Sequence, residues 1–257
     1  PCAIINAFCT PYTREKSLHL LYAFGLGLAA LLLSILVSRL LFPKRPIDHF
    51  GAAFSNAGFM GLPMIQAVLG SEAVIYSAPF IALLNLFQWT YGVSVLTGRE
   101  DGLTVKKILT NPILLSLILG LVCFYANITL PAVLSTTVSS MAAMNSPVAM
   151  VVLGIYLAQT NWRTLFTDWH LYQNAAVRLL LIPGLTAVLF CLLPPTMQEA
   201  RMALLIVACA PVGANVAVYA QLNHLDYAYA SISVCLSTLF SIITIPLMIA
   251  LAGMLWQ

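Results

Sequence analysis

Ser55-Asn-Ala-Gly-Phe-Met-Gly-Leu-Pro63 and Ala210-Pro-Val-Gly-Ala-Asn-Val216 are the two stretches whose reading decides the fold. Each sits in the middle of an apolar run long enough to cross a bilayer. A helix interrupted at membrane depth leaves backbone N–H and C=O groups that hydrocarbon cannot satisfy. Such a break survives only where it is buried in protein or lines a cavity. Breaks at corresponding positions of two halves point to a transporter's binding site.

Working outward, the composition identifies the solvent. Hydrophobic residues make up 61% of the chain, charged residues 7%, and the mean hydropathy is +0.96. A soluble domain has roughly 45–50% apolar and 25% charged residues. Runs of about 20 apolar residues read as spanning helices. Eight full spans are expected, near 17–41, 50–70, 73–97, 107–126, 132–158, 170–193, 200–222 and 227–255. Pro1–Phe8 reads as the end of a further span, so the chain is expected to be the N-terminally truncated form of a longer protein. The six cysteines lie in or beside apolar helices without metal-like spacing, and no residue set calls for a cofactor.

Charge gives the orientation. All eight acids fall in loops or at span ends. Alternate loops place Arg39, Lys44, Arg45, Arg99, Lys106, Lys107 and Arg163 on one side, against Arg14, Lys16 and Arg201 on the other. The positive-inside rule makes the first side cytoplasmic and puts the C-terminus outside, in a multi-pass cell-membrane protein. The net charge of +3 is then a topology signal and suggests no nucleic-acid partner.

An internal repeat follows. Pro1-Cys-Ala-Ile-Ile-Asn6 resembles Pro147-Val-Ala-Met-Val-Val152 at an offset of 146, and Pro63 aligns with Pro211 at an offset of 148. The expected organisation is a first repeat at 1–98 lacking its first helix and part of its second, a cytoplasmic linker at 99–106, and a second repeat at 107–257. Five spans per complete half force the halves into opposite orientations, giving an all-α membrane protein of two inverted five-helix repeats. The broken helices near Pro63 and Pro211 would cross, as in many secondary carriers.

The candidate site is built from these breaks. Gly58, Gly61 and Gly213 let backbone approach a ligand, and Pro63 and Pro211 cannot bond back to the previous turn. The half-helix after each break offers free N–H groups and a positive dipole end, which suits a carboxylate beside Asn56 and Asn215. Arg178 is the only basic residue well inside a span. It either neutralises an anionic substrate, pairs with a loop acid, or snorkels to the interface. Asn6, Gln66, Asn85, Gln88 and Asn145 are further polar candidates on buried faces.

The motifs resemble the auxin efflux carrier family, the PIN-like transporters. Asn56-Ala-Gly-Phe-Met-Gly-Leu-Pro63, then Asn85 and Gln88-Trp-Thr-Tyr-Gly92, look like its fourth and fifth helices. Asn145-Ser-Pro147 is similar to the seventh; Ala210–Ala220 and Leu236–Leu247 are similar to the ninth and tenth. The resemblance implies substrate-binding roles for Asn56, Asn85 and Asn145. It also implies an elevator mechanism, with helices one, two, six and seven forming a homodimeric scaffold. Only about ten residues stand where plant members carry a long hydrophilic loop, which points to the shorter, mostly bacterial branch and to organic-acid transport. The expected function is therefore a bilayer-embedded, potential-driven carrier of small organic anions, and not an enzyme. A cation-coupled carrier of the bile-acid-symporter type and a transporter-like membrane receptor are the alternatives.

Cysteines placed at Gly98 and Gln257 should label from opposite sides of the membrane in intact cells. Labelling from one side would remove the odd number of crossings between them, and the inverted repeat with it.

Overall fold

The computed structural model describes residues 2–98, 112–128, 130–144, 147–148, 151, 154–155, 158, 168–192 and 197–256. The expected linker at 99–106, Asn145, and the basic residues Arg99, Lys106, Lys107 and Arg163 lie outside them. Among the described residues the elements are helices, joined at one point by an isolated β-bridge. The chain is an all-α membrane protein.

The helices, in chain order, are α1 (Cys2–Phe8), α2 (Arg14–Leu41), α3 (Pro46–Ala53), α4 (Leu62–Leu69), α5 (Val74–Phe87), α6 (Val93–Thr97), α7 (Pro112–Tyr125) and α8 (Ala132–Ala143). They continue with α9 (Trp169–Ala176), α10 (Ile182–Phe190), α11 (Gln198–Cys209), α12 (Asn215–Leu222) and α13 (Tyr227–Leu255). Four continuous stretches are long and apolar enough to span: Arg14–Leu41, Ser71–Thr97, Trp169–Phe190 and Tyr227–Leu255. The 28 residues of α2 rise about 42 Å, more than a hydrocarbon core of about 30 Å requires. Its ends obey helix electrostatics. The Thr13 side chain accepts from Lys16 N, Glu15 lies in the first turn and Arg39 in the last. At the start of α13, Asp226 accepts from Tyr229 N in the same way.

The two expected spans near 50–70 and 200–222 are not continuous. The first is the eight-residue α3 and the eight-residue α4, separated by extended backbone at Phe54. The second is α11 and α12, separated by Ala210–Ala214. At the breaks the two chains pair. Ser55 and Val212 form an antiparallel bridge. Asn56 N donates to Pro211 O at 2.7 Å, and Gly213 N donates to Phe54 O at 3.0 Å. Val212 N turns outward to Ser237 Oγ on α13, at 3.1 Å. Backbone that would be stranded in lipid is therefore satisfied by its counterpart and by one neighbouring helix.

The carbonyls that end α3 and α11 converge on Arg178, which is only 1% exposed. Its Nη1 donates to Ala52 O at 3.0 Å, its Nε to Ala210 O at 3.1 Å, and its Nη2 to Ala208 O. The last carbonyls of a helix lack intrahelical partners and carry roughly half a negative charge. Two such ends meet one guanidinium here, whose planar fork of donors suits several carbonyls at once. A π-helical turn, Val177–Leu181, carries Arg178 and runs directly into Ile182-Pro183. Pro183 cannot donate back to the preceding turn, so the wide turn accommodates it.

Loop charges are also partly internalised. Arg201, in the first turn of α11, is buried, with its guanidinium 4.9 Å from the Trp256 ring centroid and Nη1 donating to Phe190 O. Asp48, 2% exposed in the first turn of α3, accepts from Tyr229 Oη at 2.7 Å and pairs with Arg45 at 3.1 Å.

Arg178→Gln would leave at least one buried helix-end carbonyl unpaired, at a cost of about 1–3 kcal/mol each. Its melting temperature in detergent should fall by several degrees, and Arg178→Lys should lie between it and the wild type. Wild-type melting of Arg178→Gln would show that the guanidinium does not hold the breaks together.

Candidate functional site

Helix N-termini occupy the other side of the same junction. At the start of α12, Val216 N bonds to Gly213 O and Ala217 N to Ala214 O. Among the described residues, no acceptor takes the N–H groups of Ala214 and Asn215. The Asn215 side chain donates Nδ2 to Gln88 Oε1 at 2.8 Å. At the first break, Asn56 O accepts from Met60 N and Gly61 N, closing the wide turn Ala57–Gly61 that leads into α4. The Asn56 side chain is 9% exposed and has no hydrogen-bond partner among the described residues. Because Asn56 N binds Pro211 O, Asn56 stands beside the chain that leads into α12.

Pro63 opens onto a cavity of about 180 Å³. Asn6 of α1, Gln66 of α4, Ser71 before α5 and Ser139 of α8 contribute its polar lining. No charged side chain among the described residues lines it. It is smaller than the roughly 300–1,000 Å³ of drug-sized pockets.

The structure thus brings Asn56, Pro211, Gly213 and Asn215 together, with Pro63 at the cavity wall. The other five candidates are not placed with them. Arg178 gives its nitrogens to helix-end carbonyls, so it supports the junction from behind and does not point a free cation at a ligand. Gly61 serves helix packing: a Cβ there would come within 2.9 Å of Val207 Cγ1 on α11. Asn85 donates Nδ2 to Ile81 O, one turn back on its own helix, at 2.7 Å. Gly58 faces open space, and Asn145 lies outside the described residues.

Gln88, Asn6 and Gln66 stood among the polar candidates of the apolar spans, but the sequence reading gave none of them a binding role. Gln88 opens the π-helical turn Gln88–Gly92 and is buried against the second break. Nothing local to Gln-Trp-Thr-Tyr-Gly92 fixes which amide reaches the site, because the π turn changes the face on which each residue emerges.

The description "Membrane transport protein" names the family whose profile matches residues 1–249. The chain belongs to that family of membrane transporters. It is also similar to a protein described as an uncharacterized transporter from Methanothermobacter thermautotrophicus, with 26% identity over 205 residues. That match takes in 76% of this chain and 64% of the relative, so the chain spans less than two thirds of the curated relative's length. The resemblance to the auxin efflux carriers agrees with the family. The breaks therefore lie in a member of a membrane transport family, and non-helical backbone at membrane depth is tolerated where it is buried in protein or lines a cavity.

Gly213→Ala and Gly58→Ala should separate junction from open space. A Cβ on Gly213 would lie 3.1 Å from Phe54 O and 3.3 Å from Ser55 O, whereas Gly58 has nothing within 4 Å. Gly213→Ala should lower the yield of monodisperse protein and the melting temperature. Gly58→Ala should match the wild type in both, and equal behaviour of the two would place Gly213 outside a tight contact.

Proposed function

We propose that this protein is a secondary carrier of small organic anions, with the carboxylate held at the junction of the two breaks. One observation carries the reading. Among the described residues, the N–H groups of Ala214 and Asn215 at the start of α12 and the Asn56 side chain have no hydrogen-bond partner, and Asn56 N pairs with Pro211 O on the chain leading into α12. Arg178 cancels the negative ends of α3 and α11, leaving the start of the turn Ala57–Gly61 and the positive end of α12 to meet an anion.

The cavity supports an elevator reading. One wall comes from α1 and α8, which correspond to scaffold helices two and seven of the resemblance. The other comes from α4 and the start of the α5 span. In this proposal the two inverted repeats furnish the junction, α1, α7 and α8 belong to a homodimeric scaffold, and the remaining helices carry the site across. No charged side chain among the described residues lines the cavity, so in this proposal the charge moved in each cycle is that of the substrate. Membrane potential then drives transport: one charge moved through 100 mV is worth about 2.3 kcal/mol, or roughly 50-fold accumulation. The buried carboxylate of Asp48 is already neutralised by Arg45 and bonded to Tyr229, so it is not vacant for a coupling cation.

The test is uptake of labelled mono- and dicarboxylates into proteoliposomes of the full-length protein under an imposed potassium diffusion potential. Uptake should follow the potential without a sodium gradient. Asn56→Ala should raise the half-saturation concentration about tenfold or more, as loss of a charge-assisted hydrogen bond worth roughly 1.5–3 kcal/mol requires. Uptake that needs sodium at zero potential would favour the symporter alternative. Unchanged half-saturation in Asn56→Ala would move the site away from the junction.

A further inference from the structure

The cavity beside Pro63 has a polar lining that a carboxylate held at the junction leaves unused. Its polar side chains come from four separate places in the chain: Asn6 of α1, Gln66 of α4, Ser71 ahead of α5 and Ser139 of α8. None of the four has a hydrogen-bond partner among the described residues. Amides and hydroxyls both donate and accept, so the lining offers both functions whichever way each group is turned. No charged side chain among the described residues joins them. A volume of about 180 Å³ equals that of about six waters at roughly 30 Å³ each, which is room for a tail of about six non-hydrogen atoms. The cavity also follows on from the junction. The turn Ala57–Gly61 leads from Asn56 to Leu62 and Pro63, which form part of the cavity wall. Within that turn, a Cβ on Gly58 would meet nothing within 4 Å. Seven residues of helical rise separate Asn56 from Pro63 by about 10 Å, a gap that a short acid hydrogen-bonded at both ends can bridge.

We propose that this cavity receives the uncharged, hydroxylated tail of the substrate, so that the carrier prefers hydroxylated monocarboxylates to dicarboxylates and to plain alkyl acids. The proposal rests on the reading of the junction as the carboxylate site. A dicarboxylate would bring a second negative charge into a cavity whose described lining supplies no cation. Arg178 cannot supply one, because its nitrogens are bonded to the carbonyls of Ala52, Ala208 and Ala210. An ion that leaves water without a partner pays the full cost of desolvation. An alkyl tail fails for the opposite reason. It displaces water from Asn6, Gln66, Ser71 and Ser139 and returns no hydrogen bond. A tail of hydroxyls gives donors and acceptors to both amides and both serines without adding charge. Sites built to bond a substrate hydroxyl discriminate against the analogue that lacks it.

Acids of equal chain length test this in proteoliposomes of the full-length protein: butanoate, 2,3,4-trihydroxybutanoate and succinate, then hexanoate, gluconate and adipate. In whichever set is transported, the half-saturation concentration of the hydroxylated member should be about tenfold or more below those of the other two. Asn6→Leu and Gln66→Leu should each bring the hydroxylated and alkyl acids to within about threefold of one another. Gln66→Lys places a cation in the cavity and should move the dicarboxylate ahead of the alkyl acid, a gain that misfolding cannot produce. Equal half-saturation for the three acids in the wild type overturns the proposal. So does a preference unchanged in both Leu variants, or a folded Gln66→Lys protein that gains nothing toward the dicarboxylate. Should these variants fail to fold, Ser139→Ala removes a single hydroxyl and should narrow the preference about two- to threefold; an unchanged preference there overturns the proposal as well. Asn56→Ala separates the two readings. If it weakens all three acids alike and the wild type does not discriminate among them, the tail proposal falls and the carboxylate site stands. Transport of none of the acids overturns the anion-carrier reading and the tail proposal with it.

Discussion

A guanidinium held by the carbonyls of two helix ends is the interaction on which the rest of this structure depends. A half-helix that stops inside the membrane exposes carbonyls that lipid cannot solvate, and α3 and α11 stop side by side. Arg178 answers both at once, and the bridge between Ser55 and Val212 satisfies the backbone between them. A buried arginine is costly to desolvate. Here the cost is offset by carbonyl ligands that would otherwise be orphaned themselves. Neither the cation nor the broken backbone is tolerable alone, and together they form a closed set.

The same arrangement divides the junction electrically. The C-terminal ends of the half-helices are neutralised by a fixed charge, while the N-terminal ends are left with N–H groups and amides. The fixed cation is thus spent on the carbonyl ends, and the N-terminal side of the junction carries backbone N–H groups and neutral amides.

Much of this was legible in the sequence. Pro211 marked the second break because proline cannot continue a helical ladder, whereas the first break falls at Phe54–Asn56, ahead of Pro63, which sits inside the helical stretch Ala57–Leu69. The occurrence of breaks at corresponding positions of two halves distinguished a junction from a simple kink. Arg178 was legible as an anomaly but not in its role. An arginine in an apolar run signals that something must satisfy it, and only the fold shows that the partners are the carbonyls of Ala52, Ala208 and Ala210, far apart along the chain. Gly61 misled for a related reason. Its missing side chain makes room for Val207, and close helix packing leaves the same residue type as close ligand approach. Gln88 escaped because periodicity locates a face of a regular helix, and the π turn that begins at Gln88 breaks the period. Asp48 looked like a loop acid because it lies next to Arg45 and Pro46 in sequence, while α9 and α13 cover it in space.

The contact between α9 and α3 has a mechanical consequence. Asn174 Nδ2 donates to Asp48 O at 2.7 Å, and Arg178, one turn further along, donates to Ala52 O, one turn further along α3. Both bonds join residues 126 apart in the chain, so the two helices run in register like the teeth of a rack. A slip of one helical turn, about 5.4 Å, would break both bonds together and could not be made in smaller steps. These two bonds resist sliding of the α3 half-helix against α9 and the π turn that follows it. The pair is a single strut, and any displacement large enough to change which side of the membrane the junction faces has to be accommodated at boundaries where no such teeth engage.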